Sequence, residues 1–399
     1  MKIAIIDNAH IVKTKDGKYY SKTIYSYDFF KRYLDSFSAV RFITKVKDLD
    51  SNFIDHDKYL RVDGPNVEIY EIPWYRGLKQ MVSKIFKIRK AIRHSLDGYD
   101  GYVLRLAQVE SYLFDLFAKK KNKSYIVELV NDPNLFMDMN FIFRKINVMF
   151  TKKIIKKAIG VSYVTEKYLQ KKYPSIAHKT DYKKGFTSHY SSINLYNDQI
   201  SEPKTEFFEN EIIKIVHVSN SIESDIKGHS TVINVAKVLR EKNIPIRVTF
   251  IGSGSQVPLF EKQIEKFNLQ QDVKFIGSIA DKKILLNKLR ESDLMVLPTR
   301  LEGLPRVIIE AMAAGLPCIS TSIAGIPELL DSNFLFNFND YEGFAKKIIE
   351  MYNHPELMVE QSKLNVDKVK EYENSKLQKR RAEFYNLFKK HLEHTKVIV

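Results

Sequence analysis

The chain of 399 residues has a single cysteine, Cys318, and few glycines (15) and prolines (12). One thiol cannot close an internal disulfide, and its place in the apolar run PCIS reads as a small buried hydrophobe in a protein of a reducing compartment. With 44% hydrophobic residues and no low-complexity segment, extended disorder is excluded. No apolar run approaches the roughly 18 to 20 residues needed to cross a bilayer. The opening MKIAIIDNAH has too short an apolar stretch, and Asp7 too early, for a secretion signal, and reads as a first strand. The expectation is a cytoplasmic protein, soluble or peripheral at the inner face of the cytoplasmic membrane. His, Cys and carboxylates nowhere gather at ligand spacing. DLD at 48–50 and DHD at 55–57 lie among polar residues without a convincing buried strand before them, so neither a metal nor another cofactor is expected.

Acid is scarce in the first half. Residues 1–200 carry 36 Lys and Arg against 21 Asp and Glu, which is +15 of the net +16. Two stretches there have no acid at all. In RGLKQMVSKIFKIRKAIRH, residues 76–94, Leu78, Met81, Val82, Ile85, Ile88 and Ile92 share one helical stripe. FIFRKINVMFTKKIIKKAIG, residues 141–160, repeats the theme. Either helix alone reads as a core-facing stripe with a solvated cationic back. Two in one half point to an anionic lipid surface as partner. Nucleic acid is not the expected partner, because no nucleic-acid module is recognisable and aromatic residues do not interleave with the basic runs as base stacking requires.

The length exceeds one typical core and predicts two domains. From Ile212 strands and helices alternate regularly (IIKIVHVS, STVINVAKVLREKN, IRVTFIG and onward to PCISTS), the pattern of a parallel sheet covered by helices. The first half alternates less regularly but also reads as α/β. A polar stretch without periodicity, NLYNDQISEPKTEFFENE, separates them. The expected division is a domain over 1–195, a linker over 196–211, a second domain over 212–375 and a closing helix over 376–399.

The most informative segment is TRLEGLPRVIIEAMAAGLPCISTSIAGIPELL, residues 299–330. It follows SDLMVLPT, which reads as a parallel strand buried on both faces. Pro305 has its φ preset for a first helical turn and no N–H to leave unpaired, so a helix is predicted from there. The free N–H groups and positive dipole end at Gly303 and Leu304 face the region beyond the strand, where open α/β sheets bind ligands, and suit a diphosphate. Glu302 on the loop would reach a sugar, and Glu310 inside the helix would accept hydrogen bonds from ribose hydroxyls.

This segment resembles the motif of two glutamates with seven residues between them in retaining glycosyltransferases of the GT-B fold, family 4 in particular, and AMAAGLPCISTSIAGIPE is similar to that family's continuation. The resemblance implies two Rossmann-like domains facing across a cleft. The C-terminal one would hold a nucleoside-diphosphate sugar, UDP being the expected nucleotide, and the N-terminal one the acceptor, with the final helix crossing back. It implies catalytic roles for Glu302 and for Lys227, the latter against the departing diphosphate. Gly252 and Gly254 of IGSGS resemble the family's second glycine-rich loop. Phe275, Gly277 and Ile279 resemble the strand end on which the base rests, and Gly325 and Glu328 the closing loop and helix. Where the family has a phosphate-binding arginine before the lysine, this chain has Ser219, Asn220 and Ser221, whose hydroxyl or backbone donors would stand in.

On the acceptor side the family's glycine-rich loop after the first strand is reduced to Gly17, and its histidine is absent. Arg105 or Gln108 would substitute, with Glu128 and Asp132 as further acceptor candidates. The implied reaction is hexose transfer with retention to a hydroxyl of a cell-surface glycan or lipid-linked precursor. A nucleotide-sugar epimerase on the same fold is the alternative, and it would need a histidine in the cleft. A basic nucleic-acid-binding protein is the remaining one.

Overall fold

The structure is a computed structural model and describes residues 1–56, 59–106, 109–119, 123–135, 141–176, 181–208 and 211–398. Among these residues the N-terminal domain is one sheet of ten strands: β1 (Lys2–Ile6), β2 (Ile11–Lys13), β3 (Tyr19–Ser21), β4 (Ala39–Asp48), β5 (Leu60–Arg61), β6 (Val67–Pro73), β7 (Gly101–Leu106), β8 (Tyr125–Leu129), β9 (Gly160–Tyr163) and β10 (Phe186–His189). Their order is β10-β9-β8-β7-β1-β4-β2-β3-β5, with β6 also on β4. All pairs are parallel except β2–β3 and β3–β5. The helices are α1 (Tyr27–Leu34), α2 (Gly77–Ser83), α3 (Ile85–Arg93), α4 (Val109–Phe117), α5 (Phe141–Lys157) and α6 (Tyr168–Lys172).

Alternation along β1 shows why both faces must be covered. Ile3 and Ile5 pack with Phe29 and Phe30 of α1, while Ala4 and Ile6 pack with the layer of α3, α4 and α5. The basic stretch 76–94 is two helices, because Lys84 leaves helical geometry at φ −105° and ψ 6°. The β2–β3 hairpin lies where the sequence reading has an open loop, and Gly17 is its turn residue at φ 79°.

The C-terminal domain holds β11 (Ile213–Ser221), β12 (Ile246–Ser253), β13 (Val273–Phe275), β14 (Leu294–Leu297), β15 (Cys318–Thr321) and β16 (Leu335–Phe336), all parallel, in the order β13-β12-β11-β14-β15-β16. Its helices are α7 (His229–Glu241), α8 (Val257–Lys266), α9 (Lys282–Arg290), α10 (Arg306–Ala313), α11 (Tyr341–Asn353) and α12 (Pro355–Val369). The last helix, α13 (Asn374–Ile398), returns to the N-terminal domain and buries Phe384, Tyr385, Phe388 and Leu392 there. Phe384 meets Phe186 at 5.2 Å between ring centroids, and Tyr385 stacks on Tyr33 at 4.9 Å. Gly101 makes room for it, since a Cβ there would lie 2.8 Å from Phe388.

Inside the C-terminal domain His229 and His217 are fully buried, their rings 4.5 Å apart within a cluster that includes Phe250, Phe260 and Phe275. Burial lowers His229 to about 4 and holds His217 well below the ordinary histidine range. The folded chain therefore refuses protons that the unfolded chain takes up below about pH 6.5. Stability is full above that pH and is lost as pH falls from there towards 4. Urea titration of the wild type should show about 2 kcal/mol more loss between pH 7 and pH 5 than His229→Phe shows. Equal losses would contradict a buried neutral imidazole.

Candidate active site

The site forms where the carboxyl ends of the C-terminal strands meet the N-terminal domain. β14 is fully buried and ends in a loop pinned from below by Thr321, whose hydroxyl donates to Thr299 O at 2.6 Å. Pro305 caps the helix in an extended conformation (φ −69°, ψ 113°), so α10 begins at Arg306, one residue later than the sequence predicts. Its first N–H groups have no partner within the helix and face the loop carrying Glu302, Gly303 and Leu304.

Lys227 comes from the turn between β11 and α7. Its Nζ donates to Leu301 O at 3.1 Å and to the Glu302 carboxylate. Glycine at 228 makes this possible. Its φ is 80°, and a Cβ there would lie 2.0 Å from Pro298 O, so any side chain would push the start of α7 away from the end of β14. The two residues expected to be catalytic are thus brought together as an ion pair on the loop that leads into α10.

Glu310, on α10, borders a hollow with Lys282, Leu285 and Leu286 of α9 and with Asn194 and Leu195 from the end of the N-terminal domain. Burial raises its pKa, against the lowering effect of Arg306 and Lys282. A carboxylate at an apolar wall, next to a lysine, is suited to hydroxyl donors.

Other residues singled out in the donor half have structural work. Gly252 and Gly254 are required by backbone crossing: a Cβ at Gly252 would lie 1.8 Å from Ser219 O, and one at Gly254 2.3 Å from Ile222 O. Gly252 N–H donates to Gly277 O at 2.9 Å, which brings the ends of β12 and β13 together. Ser219 is buried and its hydroxyl donates to Ser221 O at 3.2 Å, while Asn220 and Ser221 are exposed. The Phe275 ring, partly buried, stacks on Phe250 at 4.6 Å at the edge of the core, with Gly277 and half-buried Ile279 following it.

The acceptor assignments need more revision. Gly17 turns the β2–β3 hairpin, with Gly17 N–H on Thr14 O at 2.9 Å, and makes no phosphate loop. Arg105 is buried, paired with Asp7 at 2.7 Å and Glu128 at 2.9 Å. Glu128 also accepts from Tyr33 at 3.0 Å and from Tyr385 of α13 at 2.5 Å. Both residues are held by these pairs beneath α13, where they line a small hollow at the carboxyl ends of β8 and β9. Asp132 is fully buried and accepts from Tyr168 (2.6 Å), Lys172 (2.6 Å), Tyr173 (2.5 Å) and Asn134 N–H (2.9 Å). Burial alone would raise its pKa, but these donors, Lys172 first, outweigh it and lower the value. Gln108 lies outside the described residues.

Sequence reasoning missed what faces the donor loop. A Cβ on Gly303 would sit 2.6 Å from Val130 O and 3.1 Å from Asn131 Oδ1, both just past β8. A Cβ on Gly325 would meet Thr165 Cγ2 at 2.7 Å, and Gly325 N–H donates to Gly303 O at 2.9 Å. Next to it the Glu328 carboxylate accepts from three amides of the other domain: Glu166 (2.6 Å), Lys167 (2.9 Å) and Tyr168 (2.6 Å), at the start of α6. Glu328 is a clasp between domains, and Asn131 is the polar side chain of the N-terminal domain against Gly303. The glycines were visible in the sequence, but what crowds them comes from the opposite domain.

Residues 200–365 match the family described as Glycosyl transferases group 1. Protein CapJ of Staphylococcus aureus is similar at 29% identity over 353 residues, spanning 87% of this chain and 85% of that protein. Among solved structures, sucrose-phosphate synthase from Thermosynechococcus elongatus has a TM-score of 0.67 at 16% identity and covers 100% of this chain and 98% of its own. HepE of Anabaena in complex with UDP-glucose has a TM-score of 0.62 at 14% identity, with both chains covered fully. The two sheets and their facing arrangement are the GT-B fold.

Glu328→Ala removes the acceptor from three amides at once and should loosen the closed arrangement. Small-angle scattering should give a larger radius of gyration for the variant than for the wild type, with secondary structure unchanged by circular dichroism. An identical radius would show that the clasp does not hold the domains.

Proposed function

We propose that this GT-B glycosyltransferase moves a hexose, with retention, from a nucleoside-diphosphate sugar, most simply UDP-hexose, to a hydroxyl of a cell-surface glycan or lipid-linked precursor. The observation that carries the reading is the meeting of Lys227, Glu302 and the start of α10 at one point. The diphosphate rests on the amides of Gly303 and Leu304. As the bond from the anomeric carbon to the phosphate oxygen breaks, charge develops on that oxygen, and Lys227 and the helix dipole lie where they stabilise it. Glu302, released from Lys227 by the more highly charged diphosphate, orients the sugar and faces its developing positive charge. The acceptor hydroxyl attacks the face the diphosphate leaves, and the leaving phosphate takes its proton. Lys227 fills the role of counter-cation, so the reading assigns no metal and no cofactor beyond the donor.

Charge and exposure support an acceptor at an anionic membrane, reached from the cytoplasmic side. On α5 the buried positions Asn147, Thr151, Ile154 and Ile155 face the sheet. Ile142, Ile146 and Met149, the last 59% exposed, lie on the opposite side, followed by Lys152, Lys153, Lys156 and Lys157. The outer side of this helix is therefore apolar and then basic. In the stretch 76–94, Ile88 and Ile92 do face the core, while Val82 and Phe86 stay exposed. An outer side of this kind suits a helix lying on anionic lipid.

A thermal-shift panel of UDP-, GDP-, ADP- and CMP-sugars should show stabilisation by one nucleotide class, and no response to any would contradict the donor assignment. With the responding nucleotide, Glu310→Ala should weaken binding about tenfold, the loss of hydrogen bonds to a charged acceptor. Unchanged affinity would remove its ribose role. Wild-type protein should sediment with vesicles containing phosphatidylglycerol and not with neutral ones. Ile146→Ser with Met149→Ser should abolish this without lowering nucleotide affinity, and full retention by the variant would reject the α5 surface.

A further inference from the structure

A buried charged cluster under α13 has one cation too many. Arg32 of α1, Arg105 of β7 and Arg381 of α13 surround a small hollow at the carboxyl ends of β8 and β9. The two nearby carboxylates, Asp7 and Glu128, both pair with Arg105. Arg381 is 1% exposed. Its Nη2 donates to Ser191 O at 3.2 Å, but its Nε and Nη1 have no hydrogen-bond partner among the described residues. Arg32 donates Nε to Phe29 O at 2.8 Å and lies over the Phe29 ring at 4.0 Å. Burial lowers its pKa to about 10, and the neighbouring Arg381 cation adds to the shift. Burying a guanidinium with two unmade hydrogen bonds beside a like charge is costly unless a counter-charge is supplied.

We propose that the hollow between Arg32 and Arg381 binds a small oxyanion, a phosphate or a carboxylate group. A charged guanidinium N–H binds such a group strongly, and because the unpartnered Nε and Nη1 of Arg381 lie on different edges of its plane, a small anion takes one of them and shares the charge of Arg32. Ser162 and Ser192 line the same hollow and offer hydroxyls to the remaining oxygens. The position gives the anion a consequence. Ser191 and Ser192 lie just past β10 on the way out of the N-terminal domain, Arg381 is on the helix that returns, and Val130 at the rim is the residue against which Gly303 packs. An anion here ties both connections between the domains to the strand end that meets the donor loop. Its source is either free phosphate or the acidic group of an acceptor. The inference stands apart from the donor site, which uses none of these residues.

The test is calorimetric titration and thermal shift of the full chain with sodium phosphate and with sodium glucuronate, against sodium chloride at matched ionic strength. The proteins compared are the wild type, Lys227→Ala, Arg32→Gln, Arg381→Gln and Arg381→Met, the last keeping side-chain bulk if the glutamine variant does not fold. Saturable binding of phosphate, kept in Lys227→Ala and weakened at least tenfold in the Arg32 or Arg381 variants, supports a free phosphate. The same pattern with glucuronate alone supports a carboxylate brought by the acceptor. Responses no greater than those to chloride, or binding undiminished in the Arg32 and Arg381 variants, overturn the site. Loss in Lys227→Ala alone places the phosphate at the donor loop and also overturns it.

Discussion

An ion pair between two βα turns ties the end of β11 to the end of β14 at the cleft. Lys227 and Glu302 come from different βα turns, 75 positions apart, and meet only because Gly228 lets one turn press on the end of the other strand. The pair is partly exposed, with side chains 30% and 14% accessible, so its strength lies between the screened surface limit and the buried one. A diphosphate brings more negative charge than one carboxylate and can also use the amides of α10. Exchange of Glu302 for diphosphate on Lys227 is therefore favourable in the proposed reaction, and it frees Glu302 for the sugar at the moment the donor arrives.

The same loop is the place where the domains touch. Gly303 and Gly325 are crowded by Val130 and Thr165 of the N-terminal domain, and Glu328 caps the amides that open α6. Donor loop, domain contact and α6 form one continuous junction. The end of β8, with Asn131, lies directly against the loop that carries Glu302 and Gly303. The carboxylates behind it have other work: Glu128 fastens α13 through Tyr385, and Asp132 organises Tyr168, Lys172 and Tyr173 around α6.

The long buried strands and the alternation of both halves were readable because apolar runs of that length admit few other structures. The β2–β3 hairpin was not, since three-residue strands of mixed polarity carry too little periodicity. In the site, residue types were legible and their partners were not. Glu302 and Lys227 stand out by motif, but the bond between them depends on how tightly two turns pack. Arg105 and Glu128 do lie near strand ends, yet which face of the sheet α13 would cover is invisible locally, and that decides that they point inward. The packing of Phe275 was hidden for a related reason, because its ring belongs to a stack assembled from four elements with His229, Phe250 and Phe260. Asn131 carried no signal at all, since its contact is with a glycine in the other domain.

The central claim is that Lys227 and the start of α10 receive the diphosphate. A crystal structure of the protein with UDP tests it most directly. The account predicts phosphate oxygens about 3 Å from Lys227 Nζ and from the Gly303 and Leu304 amides, the Lys227–Glu302 bond broken, and a ribose hydroxyl on Glu310. A diphosphate bound elsewhere with that ion pair intact would contradict it.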